Sequence, residues 1–385
     1  MTHTPGELAR SQLRPWMLLL AAYLLSRAVV LAATGALDAL DLGGARCGSL
    51  EPRPIVGLTG LARCWDTAWF LQAATAGYPS QIPGAGPGQS TLAFFPGYPA
   101  LIAALSGLGV PPLGAALELS LALGAVATLL VRQLGLCVAS PEAAQRAALL
   151  FCFFPGAFVL SWGYSEALCA ALAGGCLLLL HRRRWVLAGL AGALASASRA
   201  DVGLALVLAC AVAAVLAQRP RRDLSALWAP VIAPVGAIAF LVYLGWRTGS
   251  VTAWTTAQSR GWGQRMDAGS HAARTIGRVL LDPFRSPTSA IQLVAVVLFV
   301  AGVVVVVQRR PPLPWLAYTV VLAVLMLSSS QVGFRPRAEL MLLPVFVAAG
   351  ARLGRRALPW VLVVFAVLQA LFTVLYLGAP RILSP

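Results

Sequence analysis

The 385-residue chain contains no lysine: all 29 of its basic residues are arginine. Acidic residues are also scarce, 13 in all, histidines number three, and charged residues make up only 11% of the chain. A soluble globular domain carries roughly 25%, so an ordinary water-facing surface is excluded. Hydrophobic residues fill the gap at 59%, with a mean hydropathy of +0.80. Apolar runs recur from end to end, several long enough to cross about 30 Å of hydrocarbon. The chain reads as an all-α polytopic membrane protein forming one integral domain over 1–385. His3, His181 and His271 are far apart, and no Cys/His spacing describes a zinc site.

The formal net charge of +16 would suggest nucleic acid in a soluble protein. Here the arginines bunch at the ends of apolar runs: HRRR at 181–184, QRPRR at 218–222, QRR at 308–310 and RLGRR at 352–356. That is the pattern of cytoplasmic anchors, and no nucleic-acid partner is expected. Residues 16–34 lack a small-residue cleavage site soon after the apolar run and read as a retained first helix, with the N-terminus cytoplasmic.

About eleven spans are expected, near 16–34, 114–131, 147–161, 165–180, 185–199, 201–217, 227–246, 289–308, 313–328, 340–353 and 357–377. Segment 92–108, LAFFPGYPALIAALSGL, is interrupted by Pro-Gly-Tyr-Pro. If it crossed fully, HRRR and QRPRR would both fall outside, against the positive-inside rule. It is therefore expected to be a partial or interfacial helix. Two substantial external loops follow, about 35–91 and 247–288. A channel or transporter needs polar residues within several spans. Here they gather at the outer ends, which places a site at the extracytoplasmic face.

The stretch RCWDTAWFLQAATAGYP, 63–79, sets an aspartate between two tryptophans. In a helix starting near Trp65, Asp66 shares a face with Trp69. Such an aspartate either caps an interfacial helix or serves as a catalytic carboxylate.

This stretch resembles the Arg-x-Trp-Asp…Gly-Tyr segment of the PIG-V-like mannosyltransferase family, polytopic GT-C enzymes that use lipid-phosphate sugars. AFFPGYPAL at 93–101 is similar to the family's Phe-Phe-Pro-x-Tyr/Phe-Pro segment, and FPGAFVLSWGYSEAL at 154–168 to its Tyr-Ser-Glu-Ala motif. ASASRADVGLAL at 195–206 resembles a Thr-Arg-x-Asn-Gly stretch, from which Asp201-Val202 departs. WTTAQSRGWG at 254–263 resembles a Gln-x-x-x-Trp segment. QVGFRPRAELMLLPVFV, 331–347, is similar to a Pro-Arg-Tyr…Pro-Leu-Phe region, with Ala338 in place of the aromatic, so that either Arg335 or Arg337 takes the family arginine's place.

The resemblance implies a GT-C-like fold with a helical first external loop and transfer of a sugar, mannose foremost, from a polyprenyl phosphate. The acceptor would be an extracytoplasmic glycan, glycolipid or protein. Asp66 is the expected base, acting by single displacement with inversion. Arg63, Arg199, Arg335 and Arg337 are expected at the donor phosphate, although each could instead face lipid headgroups. Trp65, Trp69, Tyr78, Phe95, Tyr98, Tyr164, Ser165, Glu166, Gln258 and Trp262 are expected at the pocket or acceptor, with Tyr98 offering its hydroxyl. Asp66 with Glu166 could share Mg or Mn, and metal use stays open. Another polyprenyl-phosphate sugar, or a lipid flippase without transfer, are the alternatives. The arginine-only, Ala/Gly/Leu/Val-rich composition points to a bacterial plasma membrane. Cys47 and Cys64 are the two cysteines the topology places outside, and a disulfide between them is expected.

Overall fold

The computed structural model describes residues 5–40, 65–82, 88–219 and 222–378. Arg63, Cys47 and Cys64 lie outside them, and with them the expected disulfide. The described chain is helical throughout: α1 (Pro5–Ala39), α2 (Trp65–Ala76), α3 (Gly97–Gly107), α4 (Pro112–Val138) and α5 (Pro141–Phe153) come first. A 3-10 turn, Pro155–Ser161, leads to α6 (Glu166–His181), α7 (Trp185–Ser196), α8 (Ala200–Ala217), α9 (Trp228–Ile232) and α10 (Val235–Thr248). Then follow α11 (Ala253–Trp262), α12 (Ser270–Leu281), α13 (Pro287–Arg309), α14 (Leu313–Leu327), α15 (Pro336–Glu339), α16 (Leu343–Arg352) and α17 (Leu358–Gly378).

Among the described residues, six helical stretches are long and apolar enough to cross a membrane: Pro15–Ala39, Pro112–Val138, Ala200–Ala217, Leu224–Thr248, Pro287–Arg309 and Leu358–Gly378. A seventh is added if α5 and the 3-10 turn, bent by 71°, count as one broken span. The chain is a multi-pass α-helical membrane protein. The expected count of about eleven is not reached on length, because α6, α7, α14 and α16 are apolar but only 10–17 residues long. At 1.5 Å per residue such helices reach about 15–25 Å, short of the hydrocarbon thickness. Their neighbours explain the economy: α4 packs along α6, α14 along α8, and α16 along α5. Segment 92–108 forms only the 11-residue α3 after a 3-10 turn at Thr91–Ala93.

Helix α5 breaks because Pro155 has no N–H to donate. The carbonyls left open there are met from two other helices. Buried Arg27 of α1 donates to the carbonyl of Ala157, to that of Cys152 at 2.9 Å and to Ser161 Oγ at 3.1 Å. Gln369 of α17 donates to the Phe154 carbonyl at 3.1 Å. Irregular backbone is tolerable within a membrane protein only when buried and satisfied in this way. At Gly156 the break meets α15: a Cβ would lie 2.1 Å from the Pro336 carbonyl oxygen, so only glycine admits this approach. Two interrupted helical segments, at 153–161 and 328–342, thus meet backbone to backbone. That junction positions everything described next.

Candidate active site

Asp66 stands in the first turn of α2, where the helix dipole favours an anion. Trp65 just before it has φ 57°, an uncommon left-handed conformation for a bulky side chain. The helix buries Thr67, Trp69, Phe70 and Ala73 and leaves Asp66 partly accessible. It stops at Gly77, whose φ of 73° and bond to the Ala73 carbonyl end it two residues before Pro79.

Across 271 residues of sequence, Arg337 Nη1 of α15 donates to Asp66 Oδ2 at 2.5 Å. The same nitrogen lies 3.6 Å from Glu166 Oε1. Arg199, at the start of α8, donates to Glu166 Oε1 at 2.8 Å, while its Nε and Nη2 hold both oxygens of Asp201 at 3.1 and 2.8 Å. The Val202 N–H completes the grip on Asp201. The result is one ionic chain, Asp66–Arg337–Glu166–Arg199–Asp201, alternating in sign and built from four separate elements.

Accessibility separates its carboxylates. The Glu166 side chain is 2% exposed and that of Asp66 22%. Glu166 is a buried anchor between two guanidinium groups. Asp66 is held on one oxygen side and remains reachable. Asp201 is more exposed still at 36%, but Arg199 and Val202 engage both of its oxygens, which fits orientation of Arg199.

The Tyr164 ring lies under Arg337, its centroid 5.2 Å from the guanidinium carbon. Burial works to lower the pKa of Arg337, but Asp66 and Glu166 outweigh it and hold the group above its ordinary value. Arg335 behaves oppositely: burial and then the Arg337 charge bring it down to about 10. Several buried polar atoms around this chain have no partner in the protein, namely Trp65 Nε1, Thr67 Oγ1, Tyr164 Oη and Glu166 Oε2. Buried polar groups are ordinarily satisfied, and these four are exceptions gathered around the chain.

The other expected pocket residues divide into two groups. Trp69 and Trp262 meet edge-to-face at 5.4 Å, and both lie against Phe94, forming an aromatic wall from α2, α11 and the 3-10 turn. Ser165 is buried at the start of α6 without capping it by its side chain. The remaining residues brace the Phe-Phe-Pro segment. Tyr98 is fully buried, and its hydroxyl bonds the Ala116 carbonyl and Ser120, so it is not presented to a pocket. Tyr78 donates to the Phe94 carbonyl, and Gln258 to that of Ala93. Phe95 packs on Phe240 and Trp254 in a separate apolar cluster.

Asp201 is not among the residues expected at the site. Its signal was the Arg-x-Asp spacing at a helix start, where both side chains can fold back on each other. The Arg337–Asp66 tie had no local signal. Among the described residues no group of three or more His, Cys, Asp or Glu is placed to hold a metal ion. Between Asp66 and Glu166 it is the Arg337 guanidinium that provides the shared cation.

Residues 55–227 match the model of the family described as Mannosyltransferase (PIG-V). The region contains Asp66, Glu166, Arg199 and Asp201, while Arg335 and Arg337 lie beyond it. The rat GPI alpha-1,6-mannosyltransferase 2 is 36% identical over 155 residues, and the mouse protein 36% over 157. Each match covers 37% of this chain and 30% of the relative, so the aligned part spans less than a third of those proteins. The crystal structure of the Archaeoglobus fulgidus oligosaccharyltransferase in the apo form superposes with a TM-score of 0.51 at 14% identity, covering 94% of this chain and 56% of that one. At that identity the likeness is one of fold alone, an all-α architecture.

Proposed function

From the homology of residues 55–227 to the PIG-V mannosyltransferases, we propose that this chain is an inverting glycosyltransferase that takes mannose from a polyprenyl phosphate. The acceptor is a glycan, glycolipid or protein at the extracytoplasmic face, with the N-terminus cytoplasmic. The observation that carries the reading is the ionic chain: a reachable Asp66 fixed by Arg337, which is itself anchored on buried Glu166.

In the proposed reaction an acceptor hydroxyl approaches Asp66. Its oxygen forms the bond to the anomeric carbon as the carbon–phosphate-oxygen bond breaks, and the hydroxyl proton passes to the Asp66 carboxylate. General-base help of this kind contributes about 10²–10⁴-fold. The electron pair leaves with the prenyl phosphate, whose added charge is met by Arg335 and Arg337. Arg199 has three of its nitrogens committed to Glu166 and Asp201. We therefore give it a positioning role in place of the phosphate contact expected from sequence. Trp69 and Trp262 offer aromatic faces on which a sugar can stack. The short helices α6, α7, α14 and α16 cross with support from their long neighbours, which preserves the eleven-span topology and keeps every arginine cluster from Arg132 to Arg356 on one side.

A related enzyme using a different polyprenyl-phosphate sugar would have the same site, since no single residue selects the sugar. Purified protein given radiolabelled prenyl-phosphate mannose and a membrane-derived acceptor extract should release prenyl phosphate and label the acceptor. Labelling from another prenyl-phosphate sugar alone would move the donor assignment. Lipid movement without any transfer would favour a flippase.

A further inference from the structure

The amphipathic helix α12 has two unlike faces. Inward, Ala272 and Ile276 share one apolar cluster with Ala295 of α13 and with Phe334, the residue just before Arg335. Ahead of the helix, the Asp267 N–H donates to the Ser328 carbonyl at 2.8 Å, and the Ser330 N–H to that of Arg265 at 2.9 Å. The helix therefore covers the loop that delivers Arg335. Because the adjoining Arg337 pairs with Asp66, α12 lies on the same side of the membrane as the candidate site.

Outward, α12 presents charge and hydrocarbon together. Arg274 and Arg278 are four residues apart and share a flank, and Arg285 follows beyond the helix end; all three are exposed. Arg274 reaches Asp267 only at 3.9 Å. Arg278, Arg285 and the intervening exposed Asp282 form no ion pair among the described residues. Leu280, Leu281 and Phe284 are 69%, 89% and 82% exposed. Phe284 stands three residues before Pro287, where the 23-residue α13 begins. At 1.5 Å per residue α13 is about 35 Å long, little more than the hydrocarbon thickness, so its start marks the bilayer surface. Three residues reach at most about 10 Å, which brings Phe284 to that level. Arginines on one flank with Leu and Phe beside them are the pattern of an interfacial helix. A second copy of the chain would cover this face poorly, since a self-complementary contact sets the arginines of both copies against each other.

We propose that α12 docks on the bilayer surface at the face that holds the candidate site. Leu280, Leu281 and Phe284 enter the boundary between headgroups and acyl chains, and Arg274, Arg278 and Arg285 bind the phosphates of anionic phospholipids. The planar guanidinium fork matches phosphate oxygens. Because the inward face packs on Phe334, docking also steadies the loop before Arg335. The inference concerns the surrounding bilayer and holds whichever sugar donor the site uses.

The test is hydrogen exchange of the full-length protein in nanodiscs of phosphatidylcholine, alone or with added phosphatidylglycerol. Protection over 270–285 and 328–335 should rise about fivefold or more with the anionic lipid, the scale of one arginine at an anionic surface. High salt should remove the gain. The variant Arg274→Gln/Arg278→Gln/Arg285→Gln should lose it, whereas Leu281→Ser/Phe284→Ser should lower protection in both lipids. Equal wild-type protection in the two lipids overturns the inference without recourse to any variant, and so does a gain that the triple variant keeps. If inorganic phosphate reproduces the gain in neutral nanodiscs, the arginines form a site for soluble anions and the bilayer assignment falls. Protection found only in native membranes gives the face to a protein partner and likewise overturns the proposal.

Discussion

Glu166 is the residue on which the charged cluster turns, because it is nearly inaccessible and lies between two arginines. Removing one partner of a buried ion pair costs about 3–5 kcal/mol. Arg199→Ala should therefore lower thermal stability markedly, since it strands Glu166. Asp201→Asn, at a part-exposed position, should cost only about 1 kcal/mol. The double variant Arg199→Met/Glu166→Leu should recover much of the loss. Differential scanning fluorimetry in detergent reads all three, and an Arg199→Ala protein no less stable than Asp201→Asn contradicts the assigned hierarchy. Asp66, Glu166 and Arg199 are marked by short motifs in the sequence. Arg335 and Arg337 are not told apart by theirs, because that choice depends on which one the fold turns towards α2. Tyr98, Tyr78 and Gln258 carry the right chemistry for a pocket, but their polar atoms are spent on backbone carbonyls. Spacing alone does not reveal such pairings.

Among the elements, the break after α5 is the most dependent on outside support. Arg27→Met removes the charged donor for the Cys152 and Ala157 carbonyls. It should cost at least about 3 kcal/mol and raise hydrogen exchange over 153–161. Unchanged protection there would show that Gln369 and packing suffice. The helix α12 offers a pH-dependent counterpart. Its His271 ring lies against Gly333, in the loop that leads to Arg335. Asp267 accepts from the His271 and Gly269 N–H groups and the Ser270 hydroxyl. Burial lowers the His271 imidazole, Asp267 opposes this, and Arg335, Arg274 and Arg278 add to the lowering. Because the folded value lies below the unfolded one near 6.5, this contribution is present above about pH 6.5 and fades as pH falls. Asp267, also held low despite burial, adds the same sign at more acidic pH. Protection factors at 265–271 and 328–333, corrected for the intrinsic pH dependence of exchange, should therefore fall between pH 7.5 and 5.5, and His271→Gln should flatten that response. Equal protection at both pH values would contradict it. The positions of helices such as α2 and α8 were legible from apolar runs and helix-start residues. The tertiary cap of α5 was not, because Arg27 meets the Cys152 and Ala157 carbonyls from more than a hundred residues away.

At the scale of the molecule, charge patterning and helix length give different views of topology. The arginine clusters call for eleven crossings, whereas six helices, or seven with the bent pair, satisfy length and hydropathy. Crossing by the short apolar helices would reconcile the two, and surface labelling decides it. A cysteine introduced at exposed Ser270 should react with a membrane-impermeant maleimide on intact cells above the background of native thiols. One at Arg183 should react only after permeabilisation. Reaction at Arg183 from outside would mean an additional crossing before α7 and would reverse the sides assigned to the C-terminal half.

The central claim is that Asp66 takes the acceptor proton while Arg337 and Glu166 hold it in place. The most direct measurement is sugar transfer from prenyl-phosphate mannose by Asp66→Asn, which keeps the shape and removes the anionic base, with donor binding measured alongside. The account predicts a fall in transfer of roughly 100-fold or more, with donor affinity changed by no more than a few fold and no recovery on adding divalent ions. Near-normal turnover by a folded Asp66→Asn protein would contradict it.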